Sequence, residues 1–213
     1  MARVCVVGSL NSDLLFDVAA LPAPGETVLA TALRHDPGGK GGNQAVAAAR
    51  AGAEVTLVAA VGDDAAGRNL RAHLDTNGVD TTGVITLPLP SGTAAVVVGN
   101  DGENMIVVAP GANAHLMLDE PRLRELIADA DVVLLQLEIP VPTALAAARL
   151  ARDCGATVIL NASPAGADEA ALAELARVAD VVVVNETEAA AWRWPVPHLV
   201  MTRGARGAVC TGL

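Results

Sequence analysis

Pro37-Gly38-Gly39-Lys40-Gly41-Gly42-Asn43-Gln44 runs without a break into Ala45-Val46-Ala47-Ala48-Ala49-Arg50, and this passage from a glycine cluster into a helical repeat governs the reading of the rest. Glycines ahead of a helix let backbone N–H groups come close to a ligand, and the helix N-terminus adds partial positive charge. Lys40 is the only lysine in the chain, so the cluster suits a polar or anionic ligand. It is not a P-loop, which needs Ser or Thr after its lysine where this sequence has Gly41. The competing reading is a plain glycine loop in which Asn43 caps a helix over 44–50.

Outward from that helix, continuous β-branched runs recur at 4–7, 55–61, 132–135, 157–160, 181–184 and 199–201. Runs of this kind suit strands covered on both faces. Helical patterns at 67–74, 120–128, 142–152 and 169–177 lie between them, and the alternation predicts a parallel sheet sandwiched by helices. Two stretches, 13–31 and 93–109, interrupt it with short alternating segments between turn signals. Asn100-Asp101-Gly102 reads as a two-residue hairpin turn between strands 94–99 and 104–109. The interruptions therefore predict a separate small sheet within one α/β domain over 1–213.

Bulk properties narrow the function. With 213 residues, 52% of them hydrophobic and 18% charged, the chain can bury a core. A formal net charge of −10 and only three aromatic residues, Phe16, Trp192 and Trp194, argue against nucleic acid as a partner. No apolar run reaches the length of a membrane span and no signal-peptide pattern precedes the first strand, so a cytoplasmic protein away from membranes is expected. Cys5, Cys154 and Cys210 lack metal-ligand spacing and read as reduced, buried thiols.

Polar groups gather where strands end. Asn11 and Asp13 follow the first strand, where parallel α/β sheets bind ligands, and two short polar side chains two apart can hold neighbouring hydroxyls. An Asx-type turn is the equal alternative. Glu138 also follows a strand, and on its own can equally sit in the first turn of the next helix. Asn185-Glu186-Thr187-Glu188 either meets a hydrated metal ion or opens a helix with Asn185 as N-cap, the cap being the better reading. Thr202-Arg203-Gly204-Ala205-Arg206-Gly207 can wrap phosphates, although a plain turn explains it as well.

Taken in chain order, NSD at 11–13, PGGKGGNQAVAAARAG at 37–52, VGDDAAG at 61–67, SGTA at 91–94, DGEN at 101–104, PGAN at 110–113, QLEIP at 136–140, NETEA at 185–189 and TRGARG at 202–207 resemble the ribokinase branch of the ribokinase/PfkB carbohydrate kinase family. The resemblance implies a three-layer α/β/α sandwich with a mainly parallel central sheet and a small β-sheet lid that pairs with a second subunit. It implies ATP-dependent phosphorylation of a pentose, ribose before adenosine or fructose, or else a non-catalytic sugar- or nucleotide-binding relative. By the same resemblance Asn11, Ser12, Asp13, Gly39, Lys40, Gly41, Gly42, Asn43 and Glu138 face the sugar. Asn185, Thr202, Arg203, Gly204, Ala205, Arg206 and Gly207 face ATP, and Glu188 organises Mg2+ through water. A monovalent cation such as K+ is implied at a site outside these residues. The family's GAGD motif, whose Asp takes the proton of the sugar hydroxyl, is not among residues 1–213. The resemblance also implies a connection longer than the residues between 184 and 199, where Pro195 and Pro197 restrict the crossover.

Overall fold

The computed structural model describes residues 1–165 and 168–212. Its main sheet is built from β1 (Arg3–Val7), β4 (Glu54–Gly62), β5 (Val79–Asp80), β6 (Val84–Leu87), β9 (Val132–Gln136), β10 (Thr157–Asn161), β11 (Val181–Asn185), β12 (His198–Thr202) and β13 (Ala208–Gly212). The order is β13-β12-β11-β10-β9-β1-β4-β5, with β6 also on β4. Every pairing is parallel except β12 with β13.

Alternation along the central strands explains the layers. Cys5, Val7, Val58, Ala60, Val133 and Leu135 point to a core shared with α3 (Pro121–Ala128), α4 (Val141–Asp153) and α5 (Glu169–Val178). Val4, Val6, Leu57 and Ala59 point to the other, shared with α1 (Lys40–Arg50) and α2 (Ala65–Thr76). Strands buried on both faces leave no polar side, which is why the sequence reads as unbroken apolar runs. On α4, Ala144, Ala147, Ala148 and Ala151 are buried, and their small side chains suit close packing on the sheet.

The small sheet has the order β3-β2-β7-β8, from β2 (Asn11–Val18), β3 (Ala32–Gly38), β7 (Gly92–Gly99) and β8 (Asn104–Ala109). β2 and β7 run parallel and the outer pairs are antiparallel. Its boundaries differ from those expected. β3 lies beyond the 13–31 window, because Pro22 and Pro24 interrupt the chain and Glu26 N–H closes a turn onto Ala23 C=O at 2.9 Å. The β7–β8 hairpin has a three-residue loop, with Gly102 N–H on Gly99 C=O at 3.0 Å and Gly99 N–H on Glu103 C=O at 2.9 Å. Only Gly102, at φ 85°, takes the left-handed conformation, so Asn100 and Asp101 need no positive φ.

Two further corrections concern α1 and the late crossover. α1 begins at Lys40 rather than 44, so Asn43 lies inside it and donates its N–H to Gly39 C=O at 3.0 Å instead of capping it. The β11–β12 crossover is completed by the one-and-a-half-turn α6 (Glu186–Ala191) and the stretch 192–197. There Trp192 and Trp194 meet edge to face at 5.1 Å, and Trp192 Nε1 donates to Trp194 C=O at 2.8 Å. Of the cysteines only Cys5 is buried, its thiol pushed up to about 12 by burial; Cys154 and Cys210 are exposed, on a helix end and on edge strand β13.

Candidate functional site

β1 and β9 are neighbours in the sheet, Val7 opposite Leu135, so the residues that leave their carboxyl ends meet. Ser9, wholly buried, donates its hydroxyl to Glu138 Oε2 at 2.5 Å. The same carboxylate oxygen accepts the Lys40 backbone N–H at 3.1 Å, and Lys40 Nζ stands 3.9 Å from Glu138 Oε1. Glu138 precedes α4 rather than opening it. It serves instead as the anion at the N-terminus of α1, where the helix dipole favours negative charge.

This changes what the glycine cluster does. The first amides of α1 are spent inside the protein: Lys40 N–H on Glu138, Gly41 N–H on Ser9 Oγ at 3.4 Å, and Gly42 N–H on Ser9 C=O at 3.0 Å. The glycines serve close packing. A Cβ on Gly41 would lie 2.6 Å from Ser9 N, and one on Gly42 2.7 Å from Leu10 Cδ2. Gly39, at φ 87°, would set a Cβ 2.8 Å from Asn11 N and Ser9 O. The charge that α1 offers a ligand therefore comes through Glu138 and Lys40, not through free amides.

β2 carries Asn11 and Asp13 on one face, two residues apart, and the strand period puts Ser12 on the other. Ser12 does not share their surface. Asp13 packs against the Cα of Gly38, where a Cβ would fall 2.1 Å from Oδ2, and its buried Oδ1 has no partner. Burial pushes the Asp13 carboxyl up to about 6, and the nearby Glu138 and Asp36 carboxylates push the same way. An unpaired buried acceptor of this kind is costly unless a ligand hydroxyl meets it. Asn43 is exposed at the end of the first turn of α1. Beside these groups opens a cleft of about 670 Å³, lined by Lys40, Glu138, Ile139 and Pro140 on the sheet side and by Ile106 and Val108 of the small sheet.

Sequence reading missed several residues that hold this arrangement. Ser9 was hidden inside the first loop, and Asn113 inside PGAN. Asn113 Oδ1 accepts Leu10 N–H, while its Nδ2 donates to Leu10 C=O and Asn11 Oδ1, each at 2.9 Å. Asp64 caps α2 through Gly67 N–H at 2.7 Å and also takes Ser91 N–H and Oγ–H at 2.8 and 2.7 Å. These bonds outweigh partial burial and hold its carboxyl below the usual range. VGDDAAG and SGTA thus meet at the root of β7. Gln136 ties β9 to α1 through Gln44 Oε1 at 2.7 Å. The missed signals were single polar residues whose partners lie elsewhere in the chain, about a hundred positions away for Ser9, Asn113 and Gln136 and 27 for Asp64 with Ser91.

A second group lies along the same edge, two and three strands from β9. Asn185 and Thr202 are register partners at the ends of β11 and β12. Asn185 and Glu188 form a reciprocal capping box, each side chain accepting the other's N–H at 2.8 Å. Glu186 is paired with Arg206, so it offers no free carboxylate. The 202–207 loop closes on itself by Arg203 N–H to Gly207 C=O at 2.8 Å, around a 3-10 turn at Gly204–Arg206. Arg206 and Gly207 also spend their amides within the loop. Arg203 Nε is buried without a partner. Among the described residues no three His, Cys, Asp or Glu side chains converge as a metal site.

A family model described as pfkB family carbohydrate kinase matches residues 1–194. Ribokinase of Haemophilus influenzae is 39% identical over 186 residues, covering 86% of this chain; the chain spans 60% of that relative's length. Among solved structures, ribokinase from Cryptococcus neoformans in complex with ADP superposes with a TM-score of 0.87 at 30% identity, over 100% of this chain and 76% of that one. Arabidopsis thaliana ribokinase complexed with ribose and ATP gives 0.83 at 28% identity, over 99% of this chain and 75% of its own.

Proposed function

Because this chain belongs to the pfkB family of carbohydrate kinases, we propose that it binds D-ribose between the small sheet and α1, for ATP-dependent transfer of a phosphoryl group giving ribose 5-phosphate. The observation that carries this reading is the cleft lined by Lys40 and Glu138, with the Asp13 carboxyl beside Glu138 and its Oδ1 buried and unpaired. Asn11 and Asp13 hold neighbouring sugar hydroxyls. Glu138, anchored by Ser9 and the Lys40 N–H, keeps Oε1 for another, and Lys40 supplies the balancing positive charge. Gly39, Gly41 and Gly42 bring α1 close enough for this, and Asn43 closes the rim.

ATP is assigned to the strand ends beside it. Neighbouring strands lie about 4.8 Å apart, so β11 stands roughly 10 Å from β9, a reach that a triphosphate spans. Asn185, Thr202, the Gly204 and Ala205 amides and the Arg203 guanidinium face it. Mg2+ would arrive with the phosphates and keep most of its waters, one of them on Glu188; it would neutralise charge on the transferring group. The small sheet acts as a lid that excludes water from the transfer. Its outer face carries Leu33, Met105 and Val107, exposed apolar residues that fit a homodimer contact. No described helix is long and apolar enough to cross a membrane.

The residues that face the sugar are assigned to binding, and the proton acceptor implied by GAGD has no counterpart in residues 1–213. Residues 1–213 alone should therefore bind ribose and turn over slowly, since a general base contributes about 10²–10⁴-fold. Calorimetry and ADP release should be measured with D-ribose, adenosine and fructose. Ribose binding without efficient turnover is expected; binding of adenosine or fructose but not ribose would refute the assignment, and rapid turnover would place the base among Asp13 and Glu138.

A further inference from the structure

We propose that Asn113 is a positioning residue that fixes the polarity of Asn11, making Asn11 a donor-only contact in the sugar site; the inference rests on the sugar-binding reading above. Asn113 lies in the 3-10 turn Gly111–His115, at the foot of the small sheet, and is 1% exposed. The two ends of a side-chain amide have nearly the same shape, so its orientation follows from its partners. Here the partners are backbone groups whose polarity cannot change. Leu10 N–H can only donate, and it meets Asn113 Oδ1 at 2.9 Å; Leu10 C=O can only accept, and it meets Nδ2 at 2.9 Å.

The remaining hydrogen of Asn113 Nδ2 points to Asn11 at 2.9 Å and requires an acceptor there, which commits the Asn11 carbonyl oxygen. The Asn11 amide nitrogen is left for the ligand. Room for this amide pair comes from Gly92, where a Cβ would lie 2.2 Å from Asn113 Nδ2 and 2.3 Å from Asn11 Oδ1. A sugar lying along β2 then meets a donor at Asn11 and an acceptor at Asp13. It accepts with one hydroxyl and donates with its neighbour, a demand that a vicinal diol meets because each hydroxyl can play either part.

The test is a double-mutant cycle read by calorimetry with D-ribose on the wild type, Asn11→Ala, Asn113→Ala and the double variant. Asn113→Ala is expected to weaken ribose binding about 5- to 10-fold in the wild-type background and less than about 2-fold once Asn11 is alanine. Equal factors in both backgrounds, or unchanged affinity in Asn113→Ala, would overturn the proposal while leaving the sugar site standing. Absence of ribose binding by the wild type would instead sink the sugar reading, and this inference with it. If Asn113→Ala does not melt cooperatively, Asn113→Asp replaces it: it keeps an acceptor for Leu10 N–H and lacks the donor to Asn11. The same cancellation in the Asn11→Ala background is then required.

Discussion

At Asp13 two electrostatic demands oppose each other. Burial and the carboxylates of Glu138 and Asp36 favour the neutral acid and hold its pKa at about 6, above the ordinary 3.8. The folded chain therefore binds this proton more tightly than the unfolded chain. The resulting stability is complete below the unfolded value and is lost as pH rises through about 6. Asp13→Asn should remove that slope from chemical denaturation curves; an unchanged slope would assign it to other groups. A sugar hydroxyl donating to Asp13 demands the opposite, the carboxylate. Ribose binding should then release a proton near pH 6 and tighten up to about tenfold between roughly pH 5 and pH 7. Calorimetry in buffers of different ionisation enthalpy reads the proton directly, and a pH-independent affinity would remove Asp13 from the sugar contacts. Asp13→Ala should weaken ribose by about 1–3 kcal/mol, because the paired hydroxyl loses its acceptor.

The glycine-rich entrance of α1 shows how an element's beginning can be dictated by packing rather than by a cap. Gly39→Ala meets both a left-handed φ and backbone atoms 2.8 Å from the new Cβ, whereas Gly102→Ala, also left-handed, meets nothing within 4 Å. Gly102→Ala should cost about 1 kcal/mol, and Gly39→Ala clearly more. Equal losses in urea titrations would mean that conformation alone explains these glycines. β8 offers a second test. Register sets Ile106 and Val108 on the face shared with Asp13, and Met105 and Val107 on the other, Val107 being 65% exposed. Val107→Lys should convert a dimer to monomers in sedimentation velocity without changing ribose affinity; a monomeric wild type would refute the lid contact.

Across the whole molecule, legibility followed the range of the interactions. The parallel sheet could be read because strands such as 55–61 are buried on both faces and leave an uninterrupted apolar signature. The start of α1 could not, since four glycines and one asparagine read locally as a turn; the helix forms there because Ser9 and Glu138, remote in sequence, satisfy its first amides. Glu138 and Asp13 were visible as polar residues after strands, but their meeting depends on β1 lying beside β9, and Asn113 reaches Asn11 only through the fold. Edge strand β13 had no reading at all, as its alternation is too short to distinguish from a turn. The most direct test of the central claim is a crystal structure of the chain grown with saturating D-ribose. The account predicts sugar density between β2 and the start of α1, within hydrogen-bond distance of Asn11, Asp13 and Glu138. Density elsewhere, or none in a crystal whose cleft is open to solvent, would contradict it.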